Sequence, residues 1–333
     1  MNKDYKKPMK FNRNLIVLGA GSAGLVTAYI AAAVKAKVSL IEKNRMGGTN
    51  GRAPIPGIED ITYYTSDTIW DLRELPERLI VLGGGQIGCE LTQCFVRFGS
   101  HVTQIEMLPR LLNREEPEIS EMVMQRFNEE GVSVLTSHKA KEFLTENGEK
   151  ILISEHQGNE IRIAFDELLV AVGRTANTSG YGLEDLDIPI TSTKTIETNE
   201  FLQTSYPNIY ACGDVAGPFQ FTHTAAHQAW YAAVNSLFGD FKKFKVDYSV
   251  IPWATFTDPE VARVGINEIE AKEKNIPYEV TTYDIDDLDR AIADEEAHGL
   301  IKVLTVPRKD KILGVTIVGE HAGDLIAEYV SAM

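Results

Sequence analysis

Two glycine-rich loops, Gly19-Ala20-Gly21-Ser22-Ala23-Gly24 and Gly83-Gly84-Gly85-Gln86-Ile87-Gly88, carry the first chemistry legible in this chain. Both have the form GxGxxG. In such a loop the first glycine makes a tight turn, the second lets the backbone approach a diphosphate, and the third lets a helix pack closely on a strand. The diphosphate then lies at a helix N-terminus, where N–H groups and the helix dipole favour negative charge. Two loops imply two nucleotide cofactors. Each is followed, about twenty residues on, by an acid placed to accept ribose hydroxyls of an adenosine: Glu42 after the first loop, Glu106 after the second. A 2′-phosphate would meet a like charge at Glu106, which favours NAD(H) over NADP(H), an effect that Arg110 would soften. A third motif runs from Thr204 through Tyr210 to Gly213-Asp214. An aspartate after a glycine at the end of a short strand can accept a hydrogen bond from a ribityl hydroxyl, so FAD is expected as one of the two cofactors.

The elements needed to hold these loops can be read around them. Asn14–Leu18 reads as a strand, Ser22–Lys35 as a helix and Lys37–Glu42 as a second strand, a βαβ unit. The pattern recurs with Arg78–Leu82, Gln86–Phe98 and His101–Glu106. Gly51–Asp60, with Pro54, Pro56 and Gly57, reads as a connector. Beyond the second unit come a helix at Glu118–Glu130, a strand at Val132–Thr136, hairpin strands through Phe165 and an apolar strand at Leu168–Val172. Ile209–Cys212 reads as a short strand and His223–Phe238 as a helix. From Asp247 the pattern changes. Strands at Trp253–Phe256, Leu300–Val306 and Ile312–Val318 alternate with helices at Asn267–Asn275 and Gly323–Met333, as in a separate α+β domain. The fold class is therefore α/β, with two Rossmann-like dinucleotide-binding domains and a C-terminal α+β domain.

Composition narrows the function. The chain has 333 residues, with 33 Lys and Arg against 48 Asp and Glu, a formal net charge of −15 that disfavours nucleic acid and anionic membranes as partners. Three cysteines make no disulfide framework, and a reducing cytoplasm is the expected setting. Cys89 and Cys94 form a C-x4-C pair, but both fall in the helix after the second loop. Residues five apart on a helix are rotated by about 140°, and their Cα atoms would lie beyond the ~7 Å limit for a disulfide. The seven histidines show no metal-ligand spacing, so no metal is expected. After a basic Met1–Arg13, Leu15–Val34 runs without a charge, as a signal peptide or membrane span would, but Gly19, Gly21, Ser22, Gly24 and Thr27 dilute its hydrophobicity and no span is expected.

Together, several stretches resemble the FAD-dependent pyridine nucleotide-disulfide oxidoreductases, in the branch of dihydrolipoamide dehydrogenase and mercuric reductase. They are Leu15–Gly24 with Glu42 and Gly47-Gly48-Thr49; Thr65-Ser66-Asp67 through Glu90; Val170–Asn177; Thr204–Asp214; Thr222–Ala225; and Phe256–Ala262. The resemblance implies an FAD-binding part at 1–60, an NAD-binding domain at 61–180, a return to the FAD-binding domain at 181–246, and an interface domain at 247–333 that builds a homodimer. It implies that Gly19, Gly21, Ser22, Gly24, Glu42, Gly48, Thr49, Gly173, Arg174, Gly213, Asp214 and Thr222 hold FAD, while Gly83, Gly85, Gly88 and Glu106 hold NAD. Glu90 would lie near the nicotinamide and His223 near the flavin ring, as candidate catalytic residues. A helix-cap or packing role is the other reading of His223.

The chain departs from the family pattern in two places. After Gly47-Gly48-Thr49 the family has a redox C-x4-C and a nearby lysine; here Asn50-Gly51-Arg52 follows. The family's C-terminal His-Glu pair would follow a helix like Asp324–Met333. A join within so recognisable a motif favours a sequence from which segments are omitted over an evolved loss. Two functions follow as expectations: an oxidoreductase passing hydride from NADH to FAD and on to a small-molecule acceptor, or a dinucleotide-binding remnant or redox-sensing module without disulfide reductase turnover.

Overall fold

A computed structural model describes residues 12–42 and 54–333. The chain divides into two units: residues 1–51 with 174–248, and residues 52–173 with 249–333. In the first unit, strands Leu15–Leu18 and Val38–Ile41 pair in parallel, Leu15 against Val38 and Leu18 against Ile41. Helix Ser22–Ala33 connects them, and helix Thr222–Phe238 packs on it. Ala-rich faces permit that close packing: Ala23, Thr27 and Ala31 are buried on one helix, and Ala225, Ala229, Ala232 and Ala233 on the other. The expected strand at Ile209–Cys212 is reduced to an isolated bridge between Tyr210 and Gln203. Short turns take up its backbone groups instead, with Thr204 N–H donating to Ile209 O and Ala211 N–H to Leu202 O.

The second unit contains the four-stranded parallel sheet, ordered Ser133–Leu135, His101–Ile105, Arg78–Leu82, Glu167–Val170. Side chains alternate across a strand, so Leu79 and Val81 enter one core beside Val123 and Phe127 of helix Pro117–Glu129. Ile80 and Leu82 enter another beside Phe143, Leu152 and Phe165. Those last three come from a three-stranded antiparallel sheet, Lys139–Glu146, Glu149–His156 and Asn159–Phe165. Burial on both faces is why Arg78–Leu82 reads as an unbroken apolar run after its first residue.

A five-stranded antiparallel sheet completes this unit, in the order Trp253–Thr255, Glu260–Gly265, Ile312–Gly319, Leu300–Thr305, Glu279–Asp284. Two of its strands, Glu260–Gly265 and Glu279–Asp284, lie outside the strands read from the sequence. The first carries Arg263 in its middle, and the second exposes all six residues, so neither shows the apolar alternation of a half-buried strand. Helix Ala322–Ala332 covers one face of the sheet through Ala322 and Ile326. Among the described residues no helix is long and apolar enough to cross a membrane; the uncharged run at Leu15–Val34 breaks into a strand and a twelve-residue helix.

Candidate nucleotide-binding sites

The two glycine loops fold alike. Gly19 and Gly83 take positive φ, +96° and +117°, a conformation that L side chains rarely adopt. Each donates its N–H to the strand residue before the acid, Gly19 to Ile41 O and Gly83 to Ile105 O, both at 2.8 Å. At the third glycines a Cβ would stand 2.0 Å (Gly24) or 2.1 Å (Gly88) from the carbonyl oxygen of the loop's first glycine. Those positions are therefore set by the fold itself. The middle glycines differ: a Cβ at Gly21 or Gly85 would meet nothing within 4 Å, and neither residue has positive φ. Among the described residues nothing requires glycine there. Open space in front of an uncapped helix N-terminus is what a diphosphate needs, and Gly21 and Gly85 each precede a helix that no side chain caps. The residues present thus fit two dinucleotides.

The acids close the loops. Glu42 Oε2 accepts from Ala20 N–H at 2.7 Å. Glu106 Oε2 accepts from Gly84 N–H at 2.5 Å, and its Oε1 from Leu108 N–H at 2.7 Å. Both carboxylates are thereby fixed beside the position expected for a ribose. Sequence reasoning missed the residue behind the second loop: Gln104, fully buried, donates from Nε2 to Gly83 O at 3.0 Å. Cys89 lies next to it with its thiol 3.5 Å from Gly84 O, and burial pushes that thiol up to about 12. Cys94, on the same helix, is exposed, and no disulfide joins them.

Glu90, also on this helix, accepts from Phe256 N–H at 2.9 Å through Oε1; burial raises its pKa, and that hydrogen bond opposes the rise. Phe256 is 70 % exposed. Trp253 is half-buried: its ring stacks on the Arg263 guanidinium at 4.3 Å, and its indole N–H donates to Glu115. Arg263 is itself buried and pairs with Glu115 and Glu270, while Lys302 pairs with Glu116, Glu118 and Glu268.

In the first unit, Asp214 Oδ2 pairs with Arg174 at 3.0 Å. The preceding Gly213 donates its N–H to Gln228 Oε1 at 2.6 Å, and a Cβ there would lie 2.8 Å from that of Ala23. Gln228, a further residue that the sequence did not flag, is fully buried and also donates to Gly217 O and to the Tyr248 hydroxyl. Thr222 and His223 open the helix and are exposed; His223 stacks on Phe221 with ring centres 5.4 Å apart. Gly173, the residue before Arg174 and the end of the second unit's first segment, has φ +116°. Gly48 and Thr49 lie outside the described residues. Among the described residues one trio, Asp258, Glu296 and His298, comes within metal-ligating reach, but Arg97 and Arg126 already neutralise Asp258.

Two strand–glycine loop–helix units, each closed by an acid, define a protein built to hold two dinucleotides. Residues 46–229 match the family described as pyridine nucleotide-disulphide oxidoreductase, and residues 251–333 match its dimerisation domain. The chain belongs to this family of flavin-dependent oxidoreductases that use a pyridine nucleotide. It is 37 % identical over 273 residues to a mercuric reductase of Staphylococcus aureus, covering 82 % of this chain and 49 % of that protein. It is 32 % identical over 330 residues to a dihydrolipoyl dehydrogenase of Chlamydia pneumoniae, covering 96 % and 68 %. The chain thus spans about half the length of the mercuric reductases it matches. In fold it is similar to a copper(II) complex of the HOCl-induced flavoprotein disulfide reductase RclA from Escherichia coli, with a TM-score of 0.86 at 21 % identity, over 97 % of this chain and 93 % of that one.

Proposed function

We propose that this chain is an FAD-dependent oxidoreductase that takes hydride from NADH and passes electrons to a small-molecule acceptor. The observation that carries this reading is the pair of middle glycines, Gly21 and Gly85, where the described residues leave room for a side chain and which open onto helix N-termini. We assign FAD to the first unit, held by Gly19, Gly21, Ser22, Gly24, Glu42, Arg174, Gly213, Asp214 and Thr222, with Gly48 and Thr49 of the family motif. We assign NADH to the second, held by Gly83, Gly85, Gly88 and Glu106, with Glu90 toward the nicotinamide and His223 toward the flavin. Bound FAD would supply the redox chemistry, accepting hydride from the reduced nucleotide and giving two electrons to the acceptor. The chain's residues bind and orient. Arg174 pairs with Asp214 and orients its carboxylate as a ribityl acceptor, and Glu106 presents a carboxylate whose charge disfavours a 2′-phosphate.

These 333 residues are expected to reduce a dye and not a disulfide. Disulfide reduction needs a thiolate pair beside the flavin, whereas Cys89 is buried with a raised pKa and Cys94 faces solvent from the same helix. The purified chain should show flavin absorbance that NADH bleaches anaerobically, with dye turnover but no lipoamide turnover. A folded chain that binds neither nucleotide would defeat the reading. The dimerisation segment supports a homodimer; light scattering at micromolar concentration should return twice the 36.9 kDa chain mass.

A further inference from the structure

The Gly83–Gly84 peptide of the second loop is gripped at both ends by strand His101–Ile105 and the residue that follows it. Its carbonyl oxygen accepts from Gln104 Nε2 at 3.0 Å, and its N–H donates to Glu106 Oε2 at 2.5 Å. Residues two apart on a strand present side chains to the same face, so Gln104 and Glu106 reach the same peptide from one side. A peptide unit is planar, with C=O and N–H pointing in opposite directions; holding both fixes the orientation of the whole plane. The next carbonyl, Gly84 O, is held as well, by Leu112 N–H at 2.7 Å and by the Cys89 thiol.

Gln104 is a costly residue for this place. It is fully buried in the parallel sheet, and its Oε1 has no hydrogen-bond partner among the described residues. A buried amide acceptor without a partner destabilises a fold, and an apolar side chain of the same length would avoid the penalty. The first loop shows that the motif folds without such a residue: the position two before its acid is Leu40, which has no donor, and Ala20 N–H is still held by Glu42.

We propose that Gln104 is a positioning residue for pyridine nucleotide binding: it locks the Gly83–Gly84 peptide so that the loop is already ordered when the diphosphate arrives. The inference rests on the assignment of the second loop to the pyridine nucleotide. Ordering the loop before binding removes an entropy cost that would otherwise be met during binding, so the residue acts on affinity and not on the strength of the fold.

Gln104→Leu and Gln104→Met remove the donor and keep most of the volume. The full chain loaded with FAD is titrated with NADH by fluorescence, its melting is followed without nucleotide, and dye reduction is measured. The Kd for NADH should rise about tenfold, as for one lost positioning hydrogen bond. KM should rise with it while kcat holds, and the melting temperature should stay close to the parent's, because the orphan Gln104 Oε1 is removed as Gly83 O loses its donor. Flavin content should not change. An unchanged Kd in either folded variant overturns the proposal, as does a Kd that rises only alongside a falling melting temperature in both. If the unaltered folded chain binds neither NADH nor NADPH, the assignment of the loop fails first, and this proposal falls with it.

Discussion

Around the second glycine loop, Leu82 and Ile105 are 5 % and 0 % exposed; at the matching positions of the first, Leu18 and Ile41 are 61 % and 53 % exposed. The glycines, the turn hydrogen bonds and the acids are alike in the two loops. Their surroundings are not. The second lies in a sheet with a strand on each side of the central pair and side chains packed on both faces, whereas the first stands in a pair of strands alone among the described residues. Local sequence therefore makes the loop, and burial decides how firmly it is held.

The most severe way to break this comparison is at the third glycine. Gly88→Ala places a methyl 2.1 Å from Gly83 O, which only a shift of helix against strand can relieve. In the tightly packed second unit this should cost about 2 to 4 kcal/mol, read as a large loss of melting temperature. Gly85→Ala is its counterpart. It should change stability by no more than about 0.5 kcal/mol yet abolish measurable NADH binding. Unimpaired binding in Gly85→Ala would remove the case for a diphosphate at that position.

A smaller effect separates the two units by acid. Lys302 holds the Glu268 carboxyl at about 2, down from 4.5, with help from the Tyr278 hydroxyl and against the effect of burial. A depressed acid contributes stability above its unfolded pKa and loses it as pH falls toward the folded one. The second unit should thus lose on the order of 2 kcal/mol between about pH 4.5 and pH 2. Glu268→Gln should flatten that part of the acid limb, and an unaltered pH profile in the variant would contradict the assignment.

Glu42 and Glu106 offer a matched pair of substitutions. Glu106→Ala should weaken NADH about tenfold, roughly 1.4 kcal/mol, and narrow the gap to NADPH, with flavin content intact; Glu42→Ala should lower flavin content and leave NADH affinity alone. Steady-state kinetics with both donors checks the first, and equal or better NADPH efficiency in the unaltered protein would sink the preference for NADH. The smallest change is expected at the surface: Leu18→Thr should fall within about 0.5 kcal/mol of the parent, because its side chain is already in water. Leu82→Thr, buried at the matching position, serves as the contrast in the same melting experiment.

Much of the candidate site was legible because it is local. Three glycines at fixed spacing after an apolar run, and an acid after the next strand, state their geometry within some two dozen residues. What was not legible depends on partners far along the chain. Strand Glu260–Gly265 hides behind Arg263, which reads as a surface charge until Glu115 and Trp253 are seen to enclose it. Glu115, Glu116 and Lys302 give no sign in sequence of a shared buried network, since Lys302 meets Glu118 across 184 positions. Gln104 sits in a strand where an apolar residue would be expected, and its purpose shows only when Gly83 O is found beside it. Gln228 is likewise one polar residue in an Ala-rich helix until it meets Gly213.

By itself, the sequence determined two strand–turn–helix corners with room for a diphosphate, because backbone sterics at glycine act over a few residues and need no distant partner. It also carried enough of the family's motifs to be recognised. Tertiary structure alone decided that one corner would be sealed on both faces by distant segments, while Leu18 and Ile41 of the other stay more than half exposed among the described residues. Burial and ion pairing are properties of what surrounds a residue, and those neighbours come from segments that only folding brings together.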